Sequence, residues 1–234
     1  MPLPSRKPSG PARDDGVFRI LTVCSGNLCR SPQAEQLLRT RIPAALGVAS
    51  IPALEVSSAG TLAFDGDHMD EHAAAQAARL GIADALAHRT RRITEQHVAE
   101  ADVILGMARE HRAAAASLVP RANRRVFTLV EFARILEALA GSDSDIAPLG
   151  DDGFAAFMRR VVDVAVTERG LLPMPEAPSD LDIEDPYRLT PEVYRRSADA
   201  LADSIERIAT AIAALAGRAG SPLSRSSDAL RERR

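Results

Sequence analysis

The chain has 234 residues, 46% of them hydrophobic and 26% charged, with a formal charge of -3 at neutral pH. That composition fits one large globular domain, or a smaller domain with extensions. The small net charge provides no overall attraction toward nucleic acid or an anionic membrane. The first apolar run, Val17 to Val23, is too short and follows the wrong lead-in for a secretory signal, and no stretch approaches the roughly 20 apolar residues of a membrane helix, so the expected location is the cytoplasm.

Residues 1 to 16, with Pro2, Pro4, Pro8, Gly10 and Pro11 among Ser and charged residues, cannot bury enough apolar surface to order and are expected to form a flexible tail. Phe18 to Cys24 reads as the first strand. Ser31 and Pro32 then signal a helix start, as N-cap and first helical residue, for a helix through Ala34, Leu37 and Leu38. A second strand is expected near Leu54 to Ser58, and an Ala-rich helix from Asp70 to Leu80 closed by Gly81. Asp102 to Met107 and Arg125 to Leu129 read as the third and fourth strands, with a helix over Arg109 to Leu118 between them. Val130 to Ala140 and Phe154 to Arg169 follow as helices. A long last helix begins near Pro191, and residues 217 to 234 read as a second flexible tail. Short β-rich runs alternating with helices predict an α/β fold with parallel strands and crossover helices.

The two cysteines, Cys24 and Cys29, are too few for a thiolate zinc site, and His68, His72, His88, His97 and His111 show no metal-ligand spacing. No metal and no cofactor are expected. The chemistry concentrates instead in Cys24-Ser25-Gly26-Asn27-Leu28-Cys29-Arg30-Ser31, which joins the first strand to the first helix. Successive backbone N–H groups in such a loop converge as an anion nest, and the helix N-terminus adds its positive end. Gly26 and Asn27 tolerate left-handed conformations. The same field favours the thiolate at Cys24, making it a nucleophile. Arg30 can grip two oxygens of a phosphoryl group with its planar fork, and Ser31 can hydrogen-bond the sulfur as well as cap the helix. Cys29 reads either as a packed thiol or as the partner of Cys24 in a reversible disulfide. Phosphoryl transfer to Cys24 also needs a proton for the leaving group, and Asp185-Pro186-Tyr187 is the best candidate source. By itself an Asp-Pro dipeptide does no more than start a turn.

Together the two motifs resemble the low-molecular-weight protein tyrosine phosphatase family, over most of residues 18 to 216. Ser57-Ser58-Ala59-Gly60-Thr61 is similar to the family's second strand and turn, and His88 with Arg89, Arg91, Arg92 and Thr94 to its His-Arg-x-Arg segment. Ala101 to Met107, with His111, is similar to its third strand and following helix. The resemblance implies a single-domain three-layer sandwich over residues 17–216, with a central four-stranded parallel sheet in flavodoxin-like order 2-1-3-4. It implies hydrolysis of phosphotyrosine through a cysteinyl-phosphate intermediate, with Cys24 as nucleophile, Arg30 as clamp and Asp185 as general acid. Asn27, Ser31, Ser58 and His88 would hold the loop in shape, and Phe64 and Tyr187 would form opposing walls of a slot deep enough for a phenyl ring. The expected partner is a phosphotyrosine-containing protein, such as a bacterial tyrosine kinase or its substrate. High Ala and Arg with almost no Lys suggests a GC-rich bacterial genome.

Three features depart from the family pattern. A helical insert over about 132–179 precedes the acid loop, and its helices would cover the cleft or alter substrate entry. Arg188 stands where some members have a second Tyr, and the turn at Asp65 to Asp70 lacks prolines often found there. Three other functions stay open. Arginine phosphatases of this family carry Thr in place of Leu28. Thioredoxin-linked arsenate reductases need cysteines that this chain lacks. A non-catalytic phosphate-binding module would use the loop only to sense anions.

Overall fold

Strand β1 (Phe18–Cys24) is the hub of the fold: every residue in it except Arg19 is buried, as a parallel strand covered on both faces requires. The structure, a computed structural model, describes residues 15–143 and 146–217. The two expected tails therefore lie outside the described residues, apart from Asp15, Gly16 and Gly217.

β1 pairs in parallel with β2 (Leu54–Gly60) on one side and β3 (Val103–Gly106) on the other, and β3 pairs with β4 (Val126–Thr128), giving the order β2-β1-β3-β4. This is the expected sheet. Alternate residues of β1 face two separate cores. Phe18 and Ile20 join the larger one, which includes Leu37 and Leu38 of helix α1 (Arg30–Ala45) and, further along the chain, Leu201 and Ile205. Leu21 and Val23 point the other way, toward Ile93, Val98 and Ala115. The larger core is covered by α1, α2 (Glu71–Arg79), α5 (Leu129–Gly141), α6 (Gly153–Glu168) and α7 (Pro191–Ala216), and the smaller by α3 (Glu95–Glu100) and α4 (Arg109–Leu118). Two helical layers thus enclose the sheet.

Local chemistry sets the helix ends. Asp70 accepts from the backbone N–H groups of His72 and Ala73 at the start of α2. At its end Gly81 has φ +82, with Gly81 N bonding Ala78 O and Ile82 N bonding Ala77 O. That is the paired bond pattern for which a glycine is favoured just past a helix. Thr128 ends β4 and also opens α5 through a capping box with Glu131. α1 departs from expectation. It begins at Arg30, and its N-cap residue Cys29 makes no side-chain cap bond. Ser31 is already inside the helix and buried, so its hydroxyl serves the loop rather than the helix end.

One helix of the expected insert, α6, packs away from the cleft. Phe154 of α6 meets Phe18 edge-on, with ring centroids 6.4 Å apart and planes at 89°, an arrangement worth about 1 kcal/mol beyond burial. Arg159 pairs with Asp102 at 3.1 Å and donates to Val17 O at 2.8 Å. Val17, Phe18 and Asp102 all sit where the strands begin. The seven residues of β1, at about 3.3 Å each, put about 20 Å between that end and Cys24. α6 therefore closes the bottom of the sheet and does not cover the cleft, because its apolar face (Phe154, Phe157, Val161) finds its partners there.

Candidate active site

Cys24 is the last residue of β1, and the chain turns beneath its own helix to bring Ser31 Oγ to 3.0 Å from Cys24 Sγ. The backbone N–H of Asn27 points at the same sulfur, N···S 3.3 Å. Two features let the loop close so tightly. Asn27 takes φ +56, a left-handed conformation that Asn tolerates better than most residues. Gly60, at the end of the adjacent strand, leaves room: a Cβ there would lie 2.6 Å from Ser25 O and 2.8 Å from Asn27 N.

The supporting residues expected around the loop converge on Asn27, which is fully buried. Its Nδ2 donates to Ser31 Oγ and Ser58 Oγ, each at 2.9 Å. His88 Nε2 lies 2.8 Å from Asn27 O, an acceptor, so that nitrogen carries the proton. Burial lowers the His88 pKa, and the bond to Asn27 O opposes the shift, which leaves a neutral donor. Arg91 adds a contribution that the sequence reading did not assign: its N–H donates to Asn27 Oδ1 at 2.9 Å and its Nε to Ser58 O at 2.6 Å.

Arg30 is buried with its guanidinium turned to the mouth of the loop. Nη1 donates to Ile183 O at 3.0 Å, and Nη2 lies 3.4 Å from Ser25 Oγ and forms an ion pair with Asp185. Nε is buried with no hydrogen-bond partner, a donor left over for an incoming oxygen. Two residues 155 positions apart are thus in direct contact.

Several anchors bring Asp185 there. Asp182 accepts from Arg109 N at 2.8 Å and pairs with the Arg109 guanidinium, fixing the loop to the start of α4. Ile183 N donates to Met107 O at 2.7 Å, and Glu184 O accepts from Ser197 Oγ at 2.8 Å. Asp185 Oδ1 in turn accepts from Tyr187 N at 3.2 Å. The Asp185 side chain remains 46% exposed, open to a ligand.

Phe64 and Tyr187 are 79% and 40% exposed. Phe64 sits on the loop after β2, where Thr90 Oγ1 donates to its carbonyl, and Tyr187 lies on the loop that carries Asp185, under the Arg188 guanidinium, 5.0 Å from the ring centre. Leu28 is half-buried and lies over Gly26. Cys29 is buried and free, and desolvation, followed by the Asp70 charge, pushes its thiol well above the ordinary range.

His111 was given no role from sequence. It is buried, its Nε2 lies 3.0 Å from Ser25 Oγ, and burial followed by the Arg30 charge pushes its pKa down to about 4. A neutral imidazole therefore supports the hydroxyl that Arg30 touches. None of the expected site residues lines the cavity of about 520 Å³ between Glu95 and Gln96 of α3 and Leu118 to Arg121 after α4. Among the described residues no helix is long and apolar enough to cross a membrane.

A protein-family model described as low molecular weight phosphotyrosine protein phosphatase matches residues 19–162, which include the loop, Ser58, His88 and His111 but stop short of Asp185. A protein-arginine-phosphatase of Geobacillus stearothermophilus is 35% identical over 134 residues, 57% of this chain and 80% of that protein. The probable low molecular weight protein-tyrosine-phosphatase EpsP of Ralstonia nicotianae is 38% identical over 115 residues, 49% of this chain and 72% of its own. Among solved structures, a low molecular weight protein tyrosine phosphatase from T. tengcongensis superposes with TM-score 0.55 and 27% identity, covering 82% of this chain and 97% of that one. The YwlE arginine phosphatase from G. stearothermophilus gives 0.55 and 29%, covering 82% and 90%.

Proposed function

Because the chain belongs to the low molecular weight phosphotyrosine protein phosphatase family and is a phosphoric monoester hydrolase, we propose that residues 17–216 form a catalytic unit that dephosphorylates phosphotyrosine in proteins through a phosphocysteine at position 24. The observation that carries the role assignment is the meeting of Arg30 and Asp185 beside Cys24. The ion pair brings the clamp and the acid proposed here to one end of the phosphate loop.

In this reading a phosphate dianion takes the place of the Asp185 carboxylate on Arg30 Nη2 and also engages the unpartnered Nε, while the loop amides from Ser25 to Ser31 hold its oxygens. The Cys24 thiolate attacks phosphorus in line with the phenolic oxygen. Freed from Arg30, the Asp185 carboxylate takes up a proton from solvent, and as the P–O bond breaks it gives that proton to the departing phenoxide. Water then attacks the phosphocysteine with Asp185 accepting a proton, inorganic phosphate leaves, and the Ser31 hydroxyl stabilises the released thiolate. Asn27, Ser58 and His88 act by holding the loop shape. Phe64 and Tyr187, both exposed and on separate loops, would flank the phenyl ring. The expected partner is a cytoplasmic phosphotyrosine protein such as a bacterial tyrosine kinase or its substrate, with no nucleic acid or membrane involved. Cys29, within the nucleophile loop, would trap oxidised Cys24 as a disulfide.

Turnover of p-nitrophenyl phosphate by the wild type, and its loss in Cys24→Ser, tests the core of this reading. Absence of turnover would leave a phosphate-binding module, and full activity in Cys24→Ser would remove Cys24 as nucleophile. A second reading, phosphoarginine hydrolysis, is favoured by the names of two relatives. The apolar Leu28 on the loop favours the aromatic substrate. Rates on phosphotyrosine, phosphoarginine and phosphoserine peptides decide between the readings.

A further inference from the structure

The acid loop has a tether that the mechanism above does not use. After Asp185 the chain makes a turn, Leu189 N to Pro186 O at 2.9 Å, in which Arg188 adopts φ +63. Among the described residues, Asn27 and Arg188 are the two non-glycine residues with positive φ. For an L residue other than Asn this conformation is disfavoured and persists only where its surroundings hold it. Besides the turn bond and the guanidinium's contact with the Tyr187 ring, one buried group holds Arg188. Its backbone N–H donates to the phenolic oxygen of Tyr194, 3.3 Å away on the first turn of α7.

Tyr194 is 2% exposed, and burial pushes its phenol well above the ordinary range, so the hydroxyl keeps its proton. The Asp70 carboxylate lies against that hydroxyl. Asp70 in turn caps α2 through Oδ1, at 3.0 Å from His72 N and 3.2 Å from Ala73 N, and its own N–H donates to Leu28 O at 3.1 Å. Leu28 belongs to the nucleophile loop. The Tyr194 hydroxyl thus bonds the acid loop at Arg188 and neighbours Asp70, whose own N–H bonds the loop that carries Cys24.

We propose that Tyr194 is a positioning residue for the general acid, its buried hydroxyl holding the acid loop in register with the phosphate loop through Arg188 N–H on one side and Asp70 on the other. The proposal rests on Asp185 being the acid. Replacing Tyr194 with Phe keeps the ring in the core but leaves Arg188 N–H without its acceptor and the left-handed residue without its restraint. The turn then relaxes and carries Asp185 away from the leaving oxygen. Phosphate binding and the nucleophile are untouched, because Arg30, Cys24 and the Asn27 network do not depend on Tyr194.

The test is kcat/KM for the full chain on a series of aryl phosphates of rising leaving-group pKa, with inorganic phosphate inhibition as the measure of binding, for wild type, Asp185→Asn, Tyr194→Phe and Asp70→Asn. Asp185→Asn should lower turnover of phenyl phosphate by about 100-fold or more and that of 2,4-dinitrophenyl phosphate far less, since the latter leaves without a proton. Tyr194→Phe should repeat that selectivity at smaller size, with phenyl phosphate down about tenfold, dinitrophenyl phosphate within about twofold, and phosphate inhibition unchanged. Asp70→Asn keeps a competent helix cap but turns a donor toward the hydroxyl, and should give the same selective loss even if Tyr194→Phe folds poorly. If Asp185→Asn slows all substrates equally, the acid assignment itself fails. If Asp185→Asn is selective while both other variants act uniformly or not at all, Tyr194 has no positioning role.

Discussion

Asn27 carries the shape of the nucleophile loop, and the cost of replacing it can be worked from its contacts. Asn27→Ala removes both donors to Ser31 and Ser58 and the acceptor for Arg91 N–H. Each serine oxygen loses a donor but keeps its own hydroxyl proton for donation, as Ser31 does to Ala59 O, whereas the Arg91 amide is left unpaired next to the core, at about 2 kcal/mol. Alanine at φ +56 adds about 1 kcal/mol over asparagine. The sum is about 3 kcal/mol, which in a domain of this size corresponds to a drop in Tm of about 10 °C. Asn27→Gly loses the same hydrogen bonds but escapes the backbone penalty, which outweighs the extra freedom of its unfolded chain. Glycine should therefore be the more stable replacement by about 0.5 to 1 kcal/mol, the reverse of the usual order. Urea unfolding of the three proteins, fitted with a shared slope, measures this. Turnover of p-nitrophenyl phosphate should fall at least about tenfold in both variants, because the amide beneath the phosphate and the Ser31 hydroxyl lose their support. An alanine variant as stable as the glycine one would refute the reasoning, since it would mean that position 27 does not need a left-handed residue.

Three more outcomes are expected. His111 has a pKa below that of an unfolded histidine, so the unfolded chain binds the extra proton between about pH 6.5 and about 4. The stability contributed by the neutral imidazole is present above that window and is lost as pH falls through it, by roughly 3 kcal/mol in full. Urea unfolding at pH 7 and pH 4.5 should show a smaller difference for His111→Asn than for wild type, and an identical difference would contradict the burial. Phe154→Ala should destabilise the protein by about 3 kcal/mol yet leave kcat/KM on aryl phosphates within about twofold, because α6 packs at the far end of β1. A large change in KM would place the insert near the cleft after all. Hydrogen peroxide should oxidise Cys24 to the sulfenic acid, which condenses with the Cys29 thiol to a disulfide and water. Activity should then return with dithiothreitol in the wild type but not after prolonged oxidation of Cys29→Ala, and an intact mass lacking the two-hydrogen loss would argue against the bridge.

Much of the site could be read from sequence because its parts are local. A buried strand, Gly26-Asn27 and a helix start lie within fifteen residues, and each leaves a compositional trace. Ser31 shows where this reasoning stops. Ser-Pro reads as a helix start, but Arg30 is already helical, so the hydroxyl faces the sulfur and the carbonyl of Ala59. The contacts of Arg91, His111 and Asp182 were invisible for a different reason. Each is a lone polar residue in a segment of ordinary pattern, and its partner lies 64 residues away for Arg91 and Asn27, 86 for His111 and Ser25, and 73 for Asp182 and Arg109. The helix over Glu95–Glu100 has six residues, too few to display a period. The insert's two helices were recognised by their apolar spacing, but spacing says which face is buried and not against what. Phe18 and Asp102 decided that.

The crowding around Gly60 bears on how the enzyme comes into being. The nucleophile loop is cast against the end of β2 and against Ser58, His88 and Arg91, so its curvature is imposed by strands and turns synthesised later than itself. A nascent chain that has emerged only as far as α1 already holds its thiol and its guanidinium, but no mould. With Cys24 as the proposed nucleophile, the contacts that surround its sulfur are complete only once the sheet has assembled.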